Sequence, residues 1–259
     1  MKIGIPKEIL PGESRTAAVP ETVQRFVAGG LDVVVESGSG EGAFFADEQY
    51  AAAGAAVVAD AETLYEQAAV ILKVAPPSRD ISDGRSELSL LRSGTILIAA
   101  LAPISNLDVV RGLARGNITS FSLDAIPRIS RAQSMDVLSS MSMIAGYKAA
   151  IIAADELAKM IPMNMTAAGT LRPASALVIG AGVAGLQAIA TAKRMGAVVS
   201  GVDVRLAVKE QVSRVLVLGS WAWKWSTVGR MPGDTPVIWE KPSTGRNRRS
   251  WPLTSKTST

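Results

Sequence analysis

The sequence predicts an α/β chain: two doubly wound units, the second truncated, joined by a long helix. Three observations carry that reading. Short apolar runs alternate with helical segments from Lys2 to Ser122, the spacing of a parallel sheet with helices on both faces. One helical stretch, Asp136 to Met160, is too long to belong to that sheet. A second strand–turn–helix–strand pattern then runs from Ala176 to Asp203. The expected divisions are an N-terminal α/β domain over 1–135, a connecting helix over 136–162, a partial second domain over 163–212 and a tail over 213–259.

The elements follow in order. Lys2 to Ile5 reads as a strand, and a helix over Glu21 to Gly29 starts near Pro20 and stops at Gly29-Gly30. Leu31 to Glu36 is the next strand, leading into the glycine-rich loop Gly38 to Gly42. Glu48 to Gly54 and Ala61 to Ala68 read as helices, separated by a strand at Ala56 to Ala59. Val70 to Val74 is a strand, Pro76-Pro77 punctuates, and Glu87 to Leu91 is helical. The pattern closes with a strand at Thr95 to Ala99, a helix at Leu107 to Arg115 and a strand at Ile118 to Ser122. Ala125 to Met135 is read as irregular. In the second unit, Ala176 to Ile179 and Val198 to Asp203 are strands, with a helix over Gly185 to Met195 between them.

Composition excludes whole classes of chemistry. Apolar residues make up 48% of the chain and aromatics only 5%, so Ala, Val, Ile and Leu pack the core. With no Cys there is no disulfide framework, thiolate metal site or cysteine nucleophile. With no His, the commonest general base and metal ligand and any Ser–His triad are absent. Chemistry here must rest on a cofactor, on carboxylates, on Lys or on positioning. The opening residues read as a strand entering a loop, with no signal peptide. Pro173 to Ala192 is a 20-residue run without charge, long enough for a membrane span, but its glycine spacing favours a buried βα unit in a soluble chain.

The end differs from the body. All five Trp lie in the last 39 residues, and from Ser213 onward eight Lys/Arg face only Asp234 and Glu240. Residues 1–212 are thus slightly acidic, the net charge of +4 belongs to the tail, and a nucleic-acid partner is not expected. Lys241 to Thr259 has neither helical nor strand period. Two readings of the break stand: a disordered basic tail, or a reading-frame shift just after Val212, which is the preferred one. Read from one base earlier with GC-rich codons, Met231 to Val237 becomes Asp-Ala-Gly-Gly-Tyr-Ala-Arg.

Gly180-Ala181-Gly182-Val183-Ala184-Gly185 is the strongest motif. The first glycine permits a tight turn, the second lets a pyrophosphate approach the backbone, and the third lets helix pack on strand. The helix N-terminus then offers amides and positive dipole to phosphate. Asp203 ends the next strand 18 residues after Gly185, where a carboxylate accepts hydrogen bonds from both ribose hydroxyls and repels a 2′-phosphate. The pattern is that of a Rossmann-like NAD site, with Arg205 nearby softening the exclusion of NADP. A second feature is the polar loop Arg128 to Asp136, readable as an N-cap with a solvated face or as a site offering Gln133 and an Arg128/Asp136 pair. A third is Lys7, Glu8, Glu13 and Arg15 in the first loop with Lys73 at a strand end, either surface charge or crevice residues.

At these residues the chain resembles the alanine dehydrogenase and nicotinamide nucleotide transhydrogenase superfamily. Gly4-Ile5-Pro6-Lys7-Glu8 with Glu13, Arg15, Ala18, Pro20 and Glu36 is similar to that group's opening. Arg128 to Asp136, Leu138-Ser139-Ser140-Met141, Ile144-Ala145-Gly146-Tyr147, Val202-Asp203-Val204-Arg205 and Val208 to Val212 resemble the transhydrogenase branch. The resemblance covers Met1 to Val212. It implies that Arg128, Gln133 and Asp136 contact the nicotinamide end of NAD(H), with Ser139 assisting. Gly180, Gly182, Val183, Ala184, Gly185, Asp203, Val204 and Arg205 would hold the rest. It further implies direct hydride transfer between NAD(H) here and NADP(H) on a partner, together with membrane subunits that move protons. A homodimer, peripheral to the cytoplasmic face of the inner membrane, is also implied. The family continues with a mobile loop containing Gly-Gly-Tyr-Ala, which the shifted frame would supply. Two alternatives stand beside this. An alanine-type amino-acid dehydrogenase would use Arg15 and Lys73 on its substrate, but also a His near Ala102. An inactive, poorly soluble remnant would carry an exposed parallel sheet edge.

Overall fold

The computed structural model describes residues 1–78 and 86–205 in full and the backbone of residues 237–239. The expectations for 206–236 and 240–259, including the frame shift after Val212 and the aperiodic tail, lie outside the described residues. The chain divides into two compact units, Met1–Val137 and Leu138–Thr259.

The first unit is a six-stranded parallel sheet in the order β3-β2-β1-β4-β5-β6. Its strands are β1 (Lys2–Ile5), β2 (Asp32–Glu36), β3 (Ala56–Val58), β4 (Val70–Leu72), β5 (Ile96–Ala99) and β6 (Thr119–Ser122). Its helices are α1 (Pro20–Ala28), α2 (Asp47–Ala52), α3 (Ala61–Gln67), α4 (Glu87–Leu90) and α5 (Leu107–Arg115). Alternate residues along the strands feed two cores. Ile5, Val33 and Val35 pack with Val23 and Tyr50, whereas Val34, Ile71, Leu97 and Ala99 pack with Leu64, Val109 and Leu113. Helices therefore cover both faces, as parallel strands require. Local signals set the helix ends. Pro20 opens α1 with its preset φ, and Asp60 caps α3 by accepting from the Thr63 amide at 2.8 Å. The stretch read as irregular, Ala125 to Met135, begins at the end of one short 3₁₀ turn, Leu123–Ala125, and contains another, Ser130–Met135.

The second unit opens with α6 (Val137–Asp155), which ends short of Met160. Apolar side chains surround it, with Met143, Ile144, Tyr147 and Ile152 exposed, and by length and composition alone it could cross a membrane. Pro173 to Ala192, by contrast, is broken into β9 (Ser175–Ile179), a glycine turn and most of α7 (Val183–Arg194). β9 pairs in parallel with β10 (Val198–Asp203) in full register from Ser175–Val198 to Ile179–Val202. Between α6 and β9 stands an antiparallel hairpin, β7 (Asn164–Thr166) and β8 (Gly169–Leu171), that the sequence did not reveal. The residues linking its strands, Ala167 and Ala168, carry none of the Asn-Gly chemistry that marks a hairpin. β11 (Val237–Trp239) lies antiparallel on β10, so the parallel edge expected to be open there is paired.

One close approach fixes α6 to the glycine turn. A Cβ added at Gly146 would stand 2.0 Å from the Ala184 carbonyl oxygen, so α6 meets the first turn of α7 backbone to backbone. Ala149, Ala150, Ala153 and Ala154 continue the same α6 surface along a cavity of about 490 Å³ that Leu177, Ile179, Ala188 and Ala192 also line.

Candidate functional site

The glycine turn is built by its neighbours in sequence. β9 ends at Ile179, and Gly180 turns the chain at φ +94°, a conformation that disfavours any side chain. The Gly180 amide donates to the Val202 carbonyl at 2.7 Å, which ties the turn to the end of β10. Gly182 is the N-cap of α7 and is exposed, with its carbonyl accepting the Leu186 amide at 2.8 Å. A Cβ at Gly185 would lie 1.8 Å from the Gly180 carbonyl oxygen. Gly180 thus makes the turn, Gly182 stands open at the helix entrance, and Gly185 lets the first turn of α7 close on the Gly180 carbonyl. Val183 and Ala184 supply the first helical amides, which have no intrahelical partner.

Asp203 is only 6% exposed, and every direction around its carboxylate is used. Oδ2 accepts the Ala181 amide at 2.7 Å, so the acid is hydrogen-bonded to the glycine turn itself. Oδ1 accepts the Arg205 amide at 2.8 Å and Nε at 3.2 Å, while Arg205 Nη2 donates to Oδ2 at 3.2 Å. The Arg205 guanidinium beside it, with the two backbone amides, holds the Asp203 carboxyl down at about 2. Val204 and the Arg205 side chain are exposed. Sequence reasoning placed Asp203 and Arg205 here but not the Ala181 bond, since Ala181 lies 22 residues earlier.

In the first unit, the loop from Arg128 to Asp136 contains the 3₁₀ turn Ser130–Met135, with Ala132 buried and Arg128, Arg131 and Gln133 exposed. Asp136 caps the turn, its amide donating to the Gln133 carbonyl at 3.3 Å. Gln133 and Asp136 are therefore neighbours, and Arg128 stands just before the turn. Ser139 sits on α6, half-buried, in the second unit.

The first-loop charges separate into three groups. Lys73 is 2% exposed, and its Nζ lies 2.7 Å from Glu87 Oε1 and 3.2 Å from Glu8 Oε2. Glu8 also accepts the Val74 amide at 2.6 Å, Glu87 accepts the Ser78 amide at 2.7 Å, and Tyr65 donates to Glu87 at 3.3 Å. Burial pushes the Tyr65 hydroxyl well above its usual range. Arg15 instead pairs with Glu13 at 2.6 Å, and Lys7 with Glu41 at 3.5 Å. Burial raises the Glu36 carboxyl even though the Lys7 amide donates to it. Glu87 and Tyr65 went unrecognised in the sequence, where nothing distinguishes them from ordinary helix residues.

Comparison with known proteins bears on this geometry. The alanine dehydrogenase/PNT N-terminal domain matches residues 4–145, and the C-terminal domain of the same name matches residues 149–220. The chain belongs to the alanine dehydrogenase/PNT family. A Rhodospirillum rubrum protein, named as the first part of an NAD(P) transhydrogenase alpha subunit, is 51% identical over 212 residues, 82% of this chain and 55% of that protein. An alanine dehydrogenase from Methanococcus maripaludis is 33% identical, over 79% of this chain and 53% of that one. The crystal structure of a transhydrogenase from Sinorhizobium meliloti superposes with a TM-score of 0.78 at 47% identity, covering 83% of this chain and 60% of that one. This member of the alanine dehydrogenase/PNT family spans about half the length of the curated relatives it matches.

Proposed function

We propose that this chain is the NAD(H)-binding component of an NAD(P) transhydrogenase. The observation that carries the reading is the acid at the end of β10. Asp203 is held ionised and hydrogen-bonded to the glycine turn, the arrangement that seats an adenosine ribose beside a pyrophosphate. The residues fit a dinucleotide: Gly182 leaves the helix entrance open, and a side chain at Gly185 would collide with the turn. When bound, NAD(H) supplies hydride chemistry, exchanged directly with NADP(H) on a partner subunit, and that transfer needs no proton carrier.

The residues bind and position. Gly180, Gly182 and Gly185 shape the turn, and the Val183 and Ala184 amides face the phosphates. Asp203 holds the ribose, with Val204 and Arg205 beside it. Arg128, Gln133 and Asp136 orient the nicotinamide ring and its carboxamide, with Ser139 assisting. Their contribution is orientation and exclusion of water, which fits a chain without His. NADP(H)-binding and membrane subunits complete the assembly, and this component is a homodimer on the cytoplasmic face of the inner membrane.

The amino-acid dehydrogenase reading fares worse on one point. Lys73, its amine-side residue, is buried between Glu8 and Glu87. In calorimetric titration the full chain should bind NADH, and supplied with alanine and NAD it should release no ammonia. Failure to bind NADH would sink the dinucleotide reading, and ammonia release would replace it with the dehydrogenase one.

A further inference from the structure

Arg205 does more than sit near Asp203. A carboxylate offers about four acceptor positions. Here the Ala181 amide, the Arg205 amide, Arg205 Nε and Arg205 Nη2 fill them, at 2.7, 2.8, 3.2 and 3.2 Å. The two amides belong to the backbone and stay. The two positions that ribose hydroxyls could take are those held by the guanidinium. Its tip also overhangs the turn, since Nη2 lies 3.9 Å from where a Cβ of Gly182 would stand. That is the side from which a pyrophosphate approaches the second glycine. The side chain is 61% exposed while the acid it grips is 5% exposed, so the arm is free to swing and the acid is not.

We propose that Arg205 sets the nucleotide selectivity of this site, occupying the ribose seat on Asp203 and offsetting the charge with which Asp203 repels a 2′-phosphate. The inference rests on the dinucleotide reading given above. A lone buried carboxylate opposes a 2′-phosphate by like-charge repulsion at close range. With a guanidinium forked across it, the local charge is near zero, and the same fork matches phosphate oxygens in two-point fashion. Arg205 thus acts against selectivity for NAD(H) in two ways. It competes with the ribose hydroxyls that NAD(H) presents, and it gives a 2′-phosphate a cation to meet. A sequence with the same acid and no arginine two residues on would discriminate more sharply.

The test is titration of the full chain with NADH and with NADPH, unaltered and as Arg205→Gln and Arg205→Lys. Because the arm is largely exposed, neither variant removes packing from the fold. Arg205→Gln should raise the ratio of NADH to NADPH affinity by about tenfold, the loss falling on NADPH far more than on NADH. Arg205→Lys keeps the charge and should hold the ratio nearer that of the unaltered chain. An unchanged or smaller ratio in Arg205→Gln overturns the inference and leaves the dinucleotide reading standing. An unaltered chain that binds neither nucleotide overturns both.

Discussion

Each unit places an acid and a base at the carboxyl end of its parallel strands, and each puts them to opposite use. In the first, Lys73 follows β4 and Glu8 follows β1, and both are closed in with Glu87 beneath Tyr65. In the second, Asp203 ends β10 and is just as buried, but its partner Arg205 reaches it from solvent. Burial of every member turns ionic chemistry into structure, because no member can leave without exposing the others unpaired. Exposure of one member leaves an exchangeable seat. Opposite charges at the strand ends thus give a closed lock in one sheet and, on the function proposed above, a receptor in the other.

Breaking the lock should have the largest effect. Lys73→Met leaves Glu8 and Glu87 buried without a cation, and should cost about 3–5 kcal/mol in denaturant unfolding. Adding Glu87→Gln to that variant should recover part of the loss. If Lys73→Met is neutral, the cluster is not a lock and the comparison fails. The receptor side should be more sensitive in binding than in stability. Gly185→Ala forces a methyl against the Gly180 carbonyl, with an expected cost of about 1–3 kcal/mol and loss of NADH binding in the titration. The smallest effect is the acid limb set by Asp203. Its folded-state carboxyl titrates at about 2, below the usual carboxylate value. The stabilisation is therefore complete above the unfolded value and lost as pH falls through the folded one. Unfolding followed between about pH 5 and pH 2 should show a step that Asp203→Asn removes.

How much could be read in advance follows from the range of each interaction. The first sheet was legible because its signals are local: alternating apolar runs, Pro20 before α1, Gly29-Gly30 after it. The glycine turn and the acid at the end of β10 were legible because both are fixed by position in the sequence. The lock was legible only in part: Glu8 and Lys73 were singled out together as strand-end residues, but Glu87, 14 residues after Lys73, carries no signal that joins it to them. The β7–β8 hairpin was hidden because its link, Ala167-Ala168, has no turn chemistry. The span of α6 was overestimated, because Leu157 and Met160 prolong its apolar pattern past the last helical residue, Asp155.

The contact between Gly146 and Ala184 gives the long helix a share in the glycine turn. Where two helices meet with nothing but peptide thickness between them, the gap has no compressible filling, and a displacement of one is handed to the other undiminished. Gly146 lies 34 residues ahead of Gly180, yet it belongs to the same mechanical part. The turn of the second unit is accordingly held by more than its glycine signature, and one of its supports stands on a helix that precedes the whole strand–turn–helix pattern.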